Sequence, residues 1–430
     1  MTTKQINRIQ NLVILLLTLS AFSLFASLPI FGAFSDRSLF ELIHDRVRRE
    51  SVVAESSDTR LAPLAFPVRM VYSNDFARFG ADSLTTLSDE FERAGTYLGE
   101  AIGSANGAET VREAAFLIAL RGEGLYFDFT TSLPLSALAD LLGVTAPEIG
   151  LSDVRRALLS PAESGDAVLY VQDGAGVHYR FNTSASSSAL VEFLASQGGN
   201  GVDFAFMLGA EYAQLSPYTL VLSDPSPRVT LRSANALALG EDTFLRRAEF
   251  NAHTENRFTE SSGTVIVREV SSTLYLRPDG TVDYQGAAAA PDSIYYVAAA
   301  EAGAPTRSEA AAAAQLLALT LLQDFLGDAA LYLSDIAEGD GTYDIAFDLM
   351  ADGTPIRFSD GSHAAVVTVT GQSITAFTLK ARQYTLTEET PLLLPLAQAA
   401  AIARLWDGAE LVVAYIDAGA ETVAPAWIAE

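Results

Sequence analysis

One uncharged apolar segment near the start of the chain, Asn11 to Phe34, constrains the fold more than any other feature. About 20 apolar residues in a helix suffice to cross a bilayer, so this segment predicts a transmembrane helix over 11–34. Lys4 and Arg8 precede it without any acidic residue, which keeps residues 1–10 on the cytoplasmic side. We expect a single-pass protein of the cell membrane with an extracellular C-terminal ectodomain. A cleaved signal peptide is the alternative, although its apolar core usually spans only about 7–15 residues.

The charge and the cysteine count exclude several classes of function. With 53 acidic and 27 basic residues, the 430-residue chain carries a formal net charge of −26, and its Lys and Arg residues are scattered. A nucleic-acid interface needs clustered basic residues, so we expect no nucleic-acid partner. The same negative charge repels anionic lipids, so membrane attachment depends on the apolar segment. The absence of cysteine excludes thiolate catalysis, thiolate zinc sites and lipidation on cysteine.

The pattern along the chain predicts an α+β fold class, in which one N-terminal transmembrane helix is followed by antiparallel β-meanders packed with helices. A helical stalk and a polar linker are expected over 35–60, and an N-terminal α+β ectodomain over 61–223. Two prolines within 224–227 exclude regular strand pairing there and mark a boundary. A central helix-plus-meander domain is expected over 228–300, and a C-terminal α+β domain over 301–430.

The periodicity of apolar residues predicts the elements of these domains. Before the boundary, we expect a helix over 84–101, paired strands over 114–120 and 124–129, helices over 134–142 and 152–159, and a hairpin over 167–182. After the boundary, we expect helices over 235–250, 306–327 and 395–405 and a series of short strands between 264 and 428. Thr306 and Glu309 have the spacing of a helix capping box. Asp352-Gly353 is one of several dipeptides that favour tight hairpin turns.

No motif for catalysis or for metal binding occurs. The four histidines, His44, His178, His253 and His363, are isolated and lack the spacing of metal ligands. The acidic run over 338–344 lacks the full pattern of a calcium loop and is interpreted as a solvated hairpin turn. No G-x-S-x-G is present, so the Ser362-His363 pair does not indicate a serine hydrolase. We therefore expect a non-enzymatic protein with no catalytic residue, no cofactor and no metal.

Two stretches resemble a known family. The segment FNAHTENRFTESSGTVIVREVSSTLYLRPDGTVDYQG, Phe250 to Gly286, resembles the central part of YycH-type proteins, membrane-anchored regulators of an essential cell-wall sensor kinase (WalK/YycG) in low-GC Gram-positive bacteria. The segment FDLMADGTPIRFSDGSHAAVVTVTGQSITAFTLKARQYT, the helix LLPLAQAAAIARL and the terminal APAWIAE are similar to the C-terminal module that YycH shares with its sister YycI. This resemblance implies a two-component signal-transduction regulator whose partners are a sensor histidine kinase and a YycI-like sister protein.

Two sets of residues are candidates for protein contact. In the apolar segment, Ser20, Ser23, Ala26 and Ser27 are small residues that let a second helix approach closely. Near the C-terminus, Trp427 is expected on an edge strand, where the resemblance implies a protein contact. The alternative functions are an extracytoplasmic binding or peptidase-inhibitory module of the cell envelope and a cell-wall hydrolase.

Overall fold

The computed structural model describes residues 67–74, 77–81, 84–222, 228–253, 255–299, 303–339, 341–403 and 408–429, all of which belong to one unit. The expected transmembrane helix at 11–34, with Ser20, Ser23, Ala26 and Ser27, and the stalk and linker at 35–60 lie outside these residues. No helix in the described part of the chain is both long enough and apolar enough to cross a membrane.

The described elements alternate between strands and helices. The strands before residue 223 are β1 (Arg69–Ser73), β2 (Arg78–Ala81), β3 (Asn106–Val111), β4 (Gly124–Pro134), β5 (Asp153–Ser160), β6 (Asp166–Gln172), β7 (His178–Ser186), β8 (Val202–Phe204) and β9 (Leu220–Leu222). The later strands are β10 (Leu231–Asn235), β11 (Arg257–Thr259), β12 (Val265–Arg268), β13 (Ser272–Leu276), β14 (Thr281–Gly286), β15 (Ala329–Gly339), β16 (Thr342–Ala351), β17 (Thr354–Phe358), β18 (Ala365–Thr370), β19 (Ser373–Lys380), β20 (Arg382–Leu386), β21 (Leu411–Asp417), β22 (Thr422–Val423) and β23 (Pro425–Ala429). The α-helices are α1 (Leu84–Ser104), α2 (Glu113–Arg121), α3 (Leu135–Leu141), α4 (Ser187–Ala195), α5 (Leu237–Arg247), α6 (Arg307–Leu322) and α7 (Leu396–Ala403).

The N-terminal part forms a seven-stranded antiparallel sheet in the order β2-β1-β4-β5-β6-β7-β3. Helices α1, α3 and α4 cover one face through a cluster of buried side chains that includes Phe91, Leu98 and Leu190. Helix α2 covers the other face through Phe116 and Leu120, which pack with side chains of the β8–β9 hairpin. Because both faces are covered, this sheet lies in the interior.

The later strands form an eleven-stranded sheet in the order β11-β12-β13-β14-β19-β18-β16-β17-β21-β23, with β15 also paired to β16. All described pairs in it are antiparallel except the parallel pair β17–β21. Helix α6 packs on one face, with Leu317 and Leu321 in the cluster that also contains the core of the first sheet. Strands β20, β10 and β22 form a separate small sheet.

The prediction of a mixed α+β fold with antiparallel sheets is confirmed. The division into domains at 61–223, 228–300 and 301–430 stays a prediction. Strand β14 of the central segment pairs with β19 of the C-terminal segment, so these two segments share one sheet.

Two local predictions are wrong. The segment 114–120 is not a strand but lies in helix α2, because Phe116 and Leu120 are four residues apart and face the sheet together. The segment 152–159 is not a helix but lies in strand β5, which is buried on both faces and therefore lacks the alternation that identifies a strand from sequence.

Two predicted local features are confirmed. Thr306 caps α6: its hydroxyl accepts a hydrogen bond from the Glu309 amide, and the Glu309 carboxylate accepts one from the Thr306 amide at 2.7 Å. Asp352 and Gly353, with φ of 46° and 71°, join β16 to β17 in the left-handed conformation that a two-residue hairpin turn requires.

Candidate functional site

The C-terminal segment carries a group of apolar side chains, which we call the C-terminal apolar surface and define by the exposed Leu392, Leu394 and Ile402 and the partly buried Trp427. The exposed fractions of Leu392, Leu394 and Ile402 are 100%, 48% and 53%. Isolated exposed apolar residues are ordinary, but a group within one short segment and helix is typical of a contact surface.

Proline and alanine position this surface. Pro391 and Pro395 flank the exposed leucines and prevent their segment from joining a helix or a central strand. Helix α7 then buries its alanines against Leu215 and Leu411, which leaves Ile402 on the outer side. The Trp427 indole N–H donates a hydrogen bond to the Leu394 carbonyl at 2.8 Å, so β23 and the exposed segment are fixed to each other.

The strand that carries Trp427 is the edge of the eleven-stranded sheet. Strand β23 pairs with β21, in the register Val413 to Trp427, and has no second neighbouring strand among the described residues. Its sequence, PAWIA, contains no charged residue. Native proteins usually protect edge strands with charges, bulges or a covering element, and here the only such feature within the strand is Pro425 at its start. The expected edge position of Trp427 is confirmed, whereas its role in protein contact stays a prediction.

Next to the start of β21 lies a buried group of ionic side chains, which we call the charge cluster and define by Arg69, Asp128, Arg156 and Glu410. Arg69 on β1 binds Asp128 on β4 at 2.9 Å and also pairs with Glu410. Arg156 on β5 binds Asp128 at 3.2 Å and Glu410 at 2.8 Å. Two cations face two anions, so the cluster is electrically neutral. Glu410 directly precedes β21, so the cluster links the first sheet to the strand that pairs with β23.

The two arginines of the charge cluster stay protonated near neutral pH. Burial opposes the charged form of Arg69, but Glu410 and Asp128 outweigh it and raise the pKa of Arg69. The pKa of Arg156 is raised in the same way by Asp128 and Glu410 against burial. Burial, followed by the charge of Asp128, raises the pKa of Tyr126 far above its ordinary value. These groups keep their charge states over the physiological range, so their arrangement suits a structural link and not proton transfer.

A second buried chain of polar groups adjoins the cluster. The Tyr218 hydroxyl donates to the Glu113 carboxylate at 3.0 Å and lies 2.9 Å from His178 Nε2, while the Arg156 guanidinium stacks 4.3 Å from the Tyr218 ring centroid. Burial lowers the pKa of His178, with Arg156 adding to this effect and Glu113 opposing it. A neutral His178 donates a hydrogen bond from Nε2 to the Tyr218 hydroxyl. This network of hydrogen bonds fixes α2 against the sheet. The described residues contain no group of three or more potential metal ligands.

His363 belongs to a different polar group at the rim of the second sheet. Its Nδ1 lies 3.0 Å from the buried Asp348 carboxylate, which also accepts hydrogen bonds from Ser334 at 2.7 Å and Arg357 at 3.1 Å. The hydrogen bond to Asp348 raises the pKa of His363. The Ser362 hydroxyl donates instead to Asp360 at 2.6 Å, so Ser362 and His363 do not form a nucleophile–base pair.

The outer face of the second sheet forms an open groove with a volume of about 350 Å³. Its polar lining is organised by Asp283, which accepts hydrogen bonds from Thr378 at 2.8 Å and Arg277 at 2.8 Å. Tyr275 and Thr368 supply further lining side chains. The groove combines aromatic and polar residues, a mixture that could hold a polar ligand.

The sequence did not reveal the charge cluster, because its partners are far apart in the chain. Arg156 bonds residues 28 and 254 positions away. The one local signal is a charge inside an otherwise apolar stretch, as at Asp128 within Leu125–Phe129. Of the predicted contact residues, the structure places Trp427 beside Leu394.

These features define a class of protein: a mixed α+β chain of two large sheets, with an exposed apolar edge and no catalytic arrangement among the polar groups described above. No family model and no curated protein matches the sequence. The fold is similar to the crystal structure of YycH from Bacillus subtilis, with a TM-score of 0.56 and 13% sequence identity over 87% of this chain and 96% of that chain. The chain therefore has a YycH-like fold. The expected likeness of residues 301–430 to YycI stays a prediction.

Proposed function

We propose that this protein is a non-enzymatic, membrane-anchored, extracytoplasmic regulator that modulates a YycG-type sensor histidine kinase by direct contact. The observation that carries the proposal is the YycH-like fold, which extends over 87% of the chain. The sequence segments that resemble YycH-type proteins, 250–286 and 347–385, lie within the same fold and support the same conclusion.

The proposed anchor is the uncharged segment 11–34. In this proposal, its helix holds the acidic ectodomain outside the cell and packs against a helix of the kinase through Ser20, Ser23, Ala26 and Ser27. Small residues favour such packing because they let two helix backbones approach closely. Replacing the segment by polyleucine keeps the anchor but removes the packing face, so we expect this variant to lose kinase regulation.

In the ectodomain, the proposed contact element is the C-terminal apolar surface with Trp427. A YycI-like sister protein is the second proposed partner, and residues 301–430 are proposed to be a YycI-like module. Both partners follow from the family resemblance, and the exposed apolar side chains of this surface support a protein contact.

Purification from detergent-solubilised membranes tests the proposal. We expect the full-length chain to co-purify with the sensor histidine kinase, and the polyleucine variant to co-purify at least several-fold less. A variant with shuffled residues 1–10 controls for changes ahead of the helix. Full kinase regulation by the polyleucine variant would contradict the proposed packing face. Absence of the kinase from the purified wild-type chain would contradict the proposed function.

A second candidate function is an envelope binding module, and the groove on the outer face of the second sheet favours it. Asp283, Arg277 and Tyr275 line the groove with groups that could bind a polar cell-wall fragment. Calorimetry with soluble peptidoglycan fragments distinguishes this candidate, because binding that Asp283→Ala abolishes would support it.

A further inference from the structure

The free edge of β23 has an unusual combination of hydrogen-bonding capacity and apolar surroundings. In an antiparallel pair, every second residue directs its N–H and C=O away from its neighbour, so an edge strand offers these groups to another strand. In the described part of the chain, the backbone hydrogen bonds of β23 run to β21. An occupant of this edge is therefore an extended segment.

The charge around this edge specifies the occupant further. Over the whole chain, 53 acidic residues outnumber 27 basic ones, although Glu410 and Asp417 near this edge are buried and paired with arginines. Glu388 and Glu389 precede the exposed leucines in the chain and Glu421 precedes β23, and all three are exposed. Such an acidic rim attracts a basic partner and repels an acidic one.

We propose that the free edge of β23 binds an extended, basic segment of a partner protein by strand addition, with the apolar side chains of that segment placed against the C-terminal apolar surface. This inference rests on the proposed function as a contact regulator and identifies the surface and the kind of partner segment involved. Main-chain hydrogen bonds to β23 provide affinity, and Leu392, Leu394 and Trp427 provide the apolar contact.

A second copy of this chain is a poorer occupant. Pairing β23 with itself would bring two acidic rims together between two chains that each carry a formal charge of −26. A basic segment from a different protein removes this repulsion.

The charge cluster makes the edge strand rigid before a partner binds. Glu410, held by Arg69 and Arg156, fixes the start of β21, and β21 sets the register of β23 from Pro425 to Ala429. Strand addition to a rigid edge orders only the partner segment, so less conformational entropy is lost on binding.

The test uses the full-length chain in detergent and a fluorescent peptide of alternating valine and lysine. The matched control peptide has the same sequence with N-methyl groups on alternate amides, which blocks strand addition but keeps the charge. Two variants, Leu392→Lys and Ala429→Lys, place a positive charge at exposed positions of the surface and of the edge. Val270→Lys adds the same charge at an exposed turn between β12 and β13 and serves as the control variant.

We expect the alternating peptide to bind at least ten-fold more tightly than its N-methylated form, and both surface variants to weaken binding at least five-fold while Val270→Lys does not. Equal binding of both peptides would overturn strand addition, since it would reveal only charge attraction. Self-association of the wild-type chain that Ala429→Lys abolishes would assign the edge to a second copy and overturn the proposal. If Ala429→Lys binds the alternating peptide as tightly as wild type while the kinase co-purifies with the wild-type chain, the edge proposal fails and the proposed function stands; if the peptide binds as expected but no kinase co-purifies, the proposed function fails.

Discussion

The two large sheets differ in how they meet solvent. Helices cover the seven-stranded sheet on both faces, and side chains such as Phe127 and Tyr126 on adjacent positions of β4 are both buried. The eleven-stranded sheet has α6 on one face, while its other face carries a groove of polar side chains and its end is the uncharged strand β23. The first sheet is therefore suited to a scaffold, and the second to contact with ligands or partners.

Among substitutions that test this contrast between the two sheets, we expect one in the charge cluster to have the largest effect on stability. Glu410→Ala leaves Arg69 and Arg156 with a single buried anion, Asp128, between them. Removing one partner of a buried ionic group costs about 3–5 kcal/mol, because the remaining charge stays uncompensated. We expect the free energy of unfolding of the full-length chain, measured with urea, to fall by this amount. Glu388→Ala, at an exposed position, is the matched control, with an expected change within about 0.5 kcal/mol.

The covering of the second sheet by α6 can be tested with two adjacent leucines. Leu317 is 1% exposed and lies in the core, whereas Leu316 is 55% exposed. We expect Leu317→Ala to lower the free energy of unfolding by about 3 kcal/mol, the cost of a buried cavity, and Leu316→Ala to change it little. Equal effects of the two substitutions in urea unfolding would contradict the described orientation of α6.

A smaller effect is expected at the start of the same helix. Thr306→Ala removes the side-chain oxygen that accepts a hydrogen bond from the Glu309 amide, which costs about 1 kcal/mol. Thr306→Ser keeps the hydroxyl and is the control. Thermal unfolding of the two variants should therefore differ, with only Thr306→Ala showing a lower midpoint; equal midpoints would show that the cap contributes nothing.

The smallest expected effect is a pH-dependent one at the rim of the second sheet. Because Asp348 raises the pKa of His363, the contribution of this pair is fully present below the pKa of histidine in the unfolded chain and is lost as pH rises through the raised pKa. Asp335 also favours the protonated form, and Arg357 opposes it. We expect His363→Asn to lower the urea midpoint at about pH 5 and to change it less at about pH 9. His253→Asn, at an exposed position, controls for the loss of a histidine.

The same contrast between the sheets explains what the sequence could predict. Strand β18 alternates buried and less buried residues, as β19 does from Phe377 to Lys380, and the β16–β17 turn contains Asp352-Gly353, so the positions of these elements follow from local pattern. Strand β5 was predicted as a helix because it lacks the alternation of apolar and polar residues that identifies a strand from sequence. The partners that neutralise Arg156 are distant in the chain, so neither the strand nor the charge cluster could be predicted locally. Trp427 was predicted at a sheet edge, whereas the exposure of Leu392 and Leu394 beside it depends on how α7 packs.

The most direct test of the account measures kinase output in the presence of this chain. The sensor histidine kinase is reconstituted in vesicles alone, with the full-length wild-type chain, or with the polyleucine variant of residues 11–34, and its autophosphorylation rate is measured. We expect the wild-type chain to change this rate at least two-fold in either direction, and the polyleucine variant to change it far less. An unchanged rate, with both proteins shown to be in the same vesicles, would contradict the proposal that this chain regulates the kinase by contact.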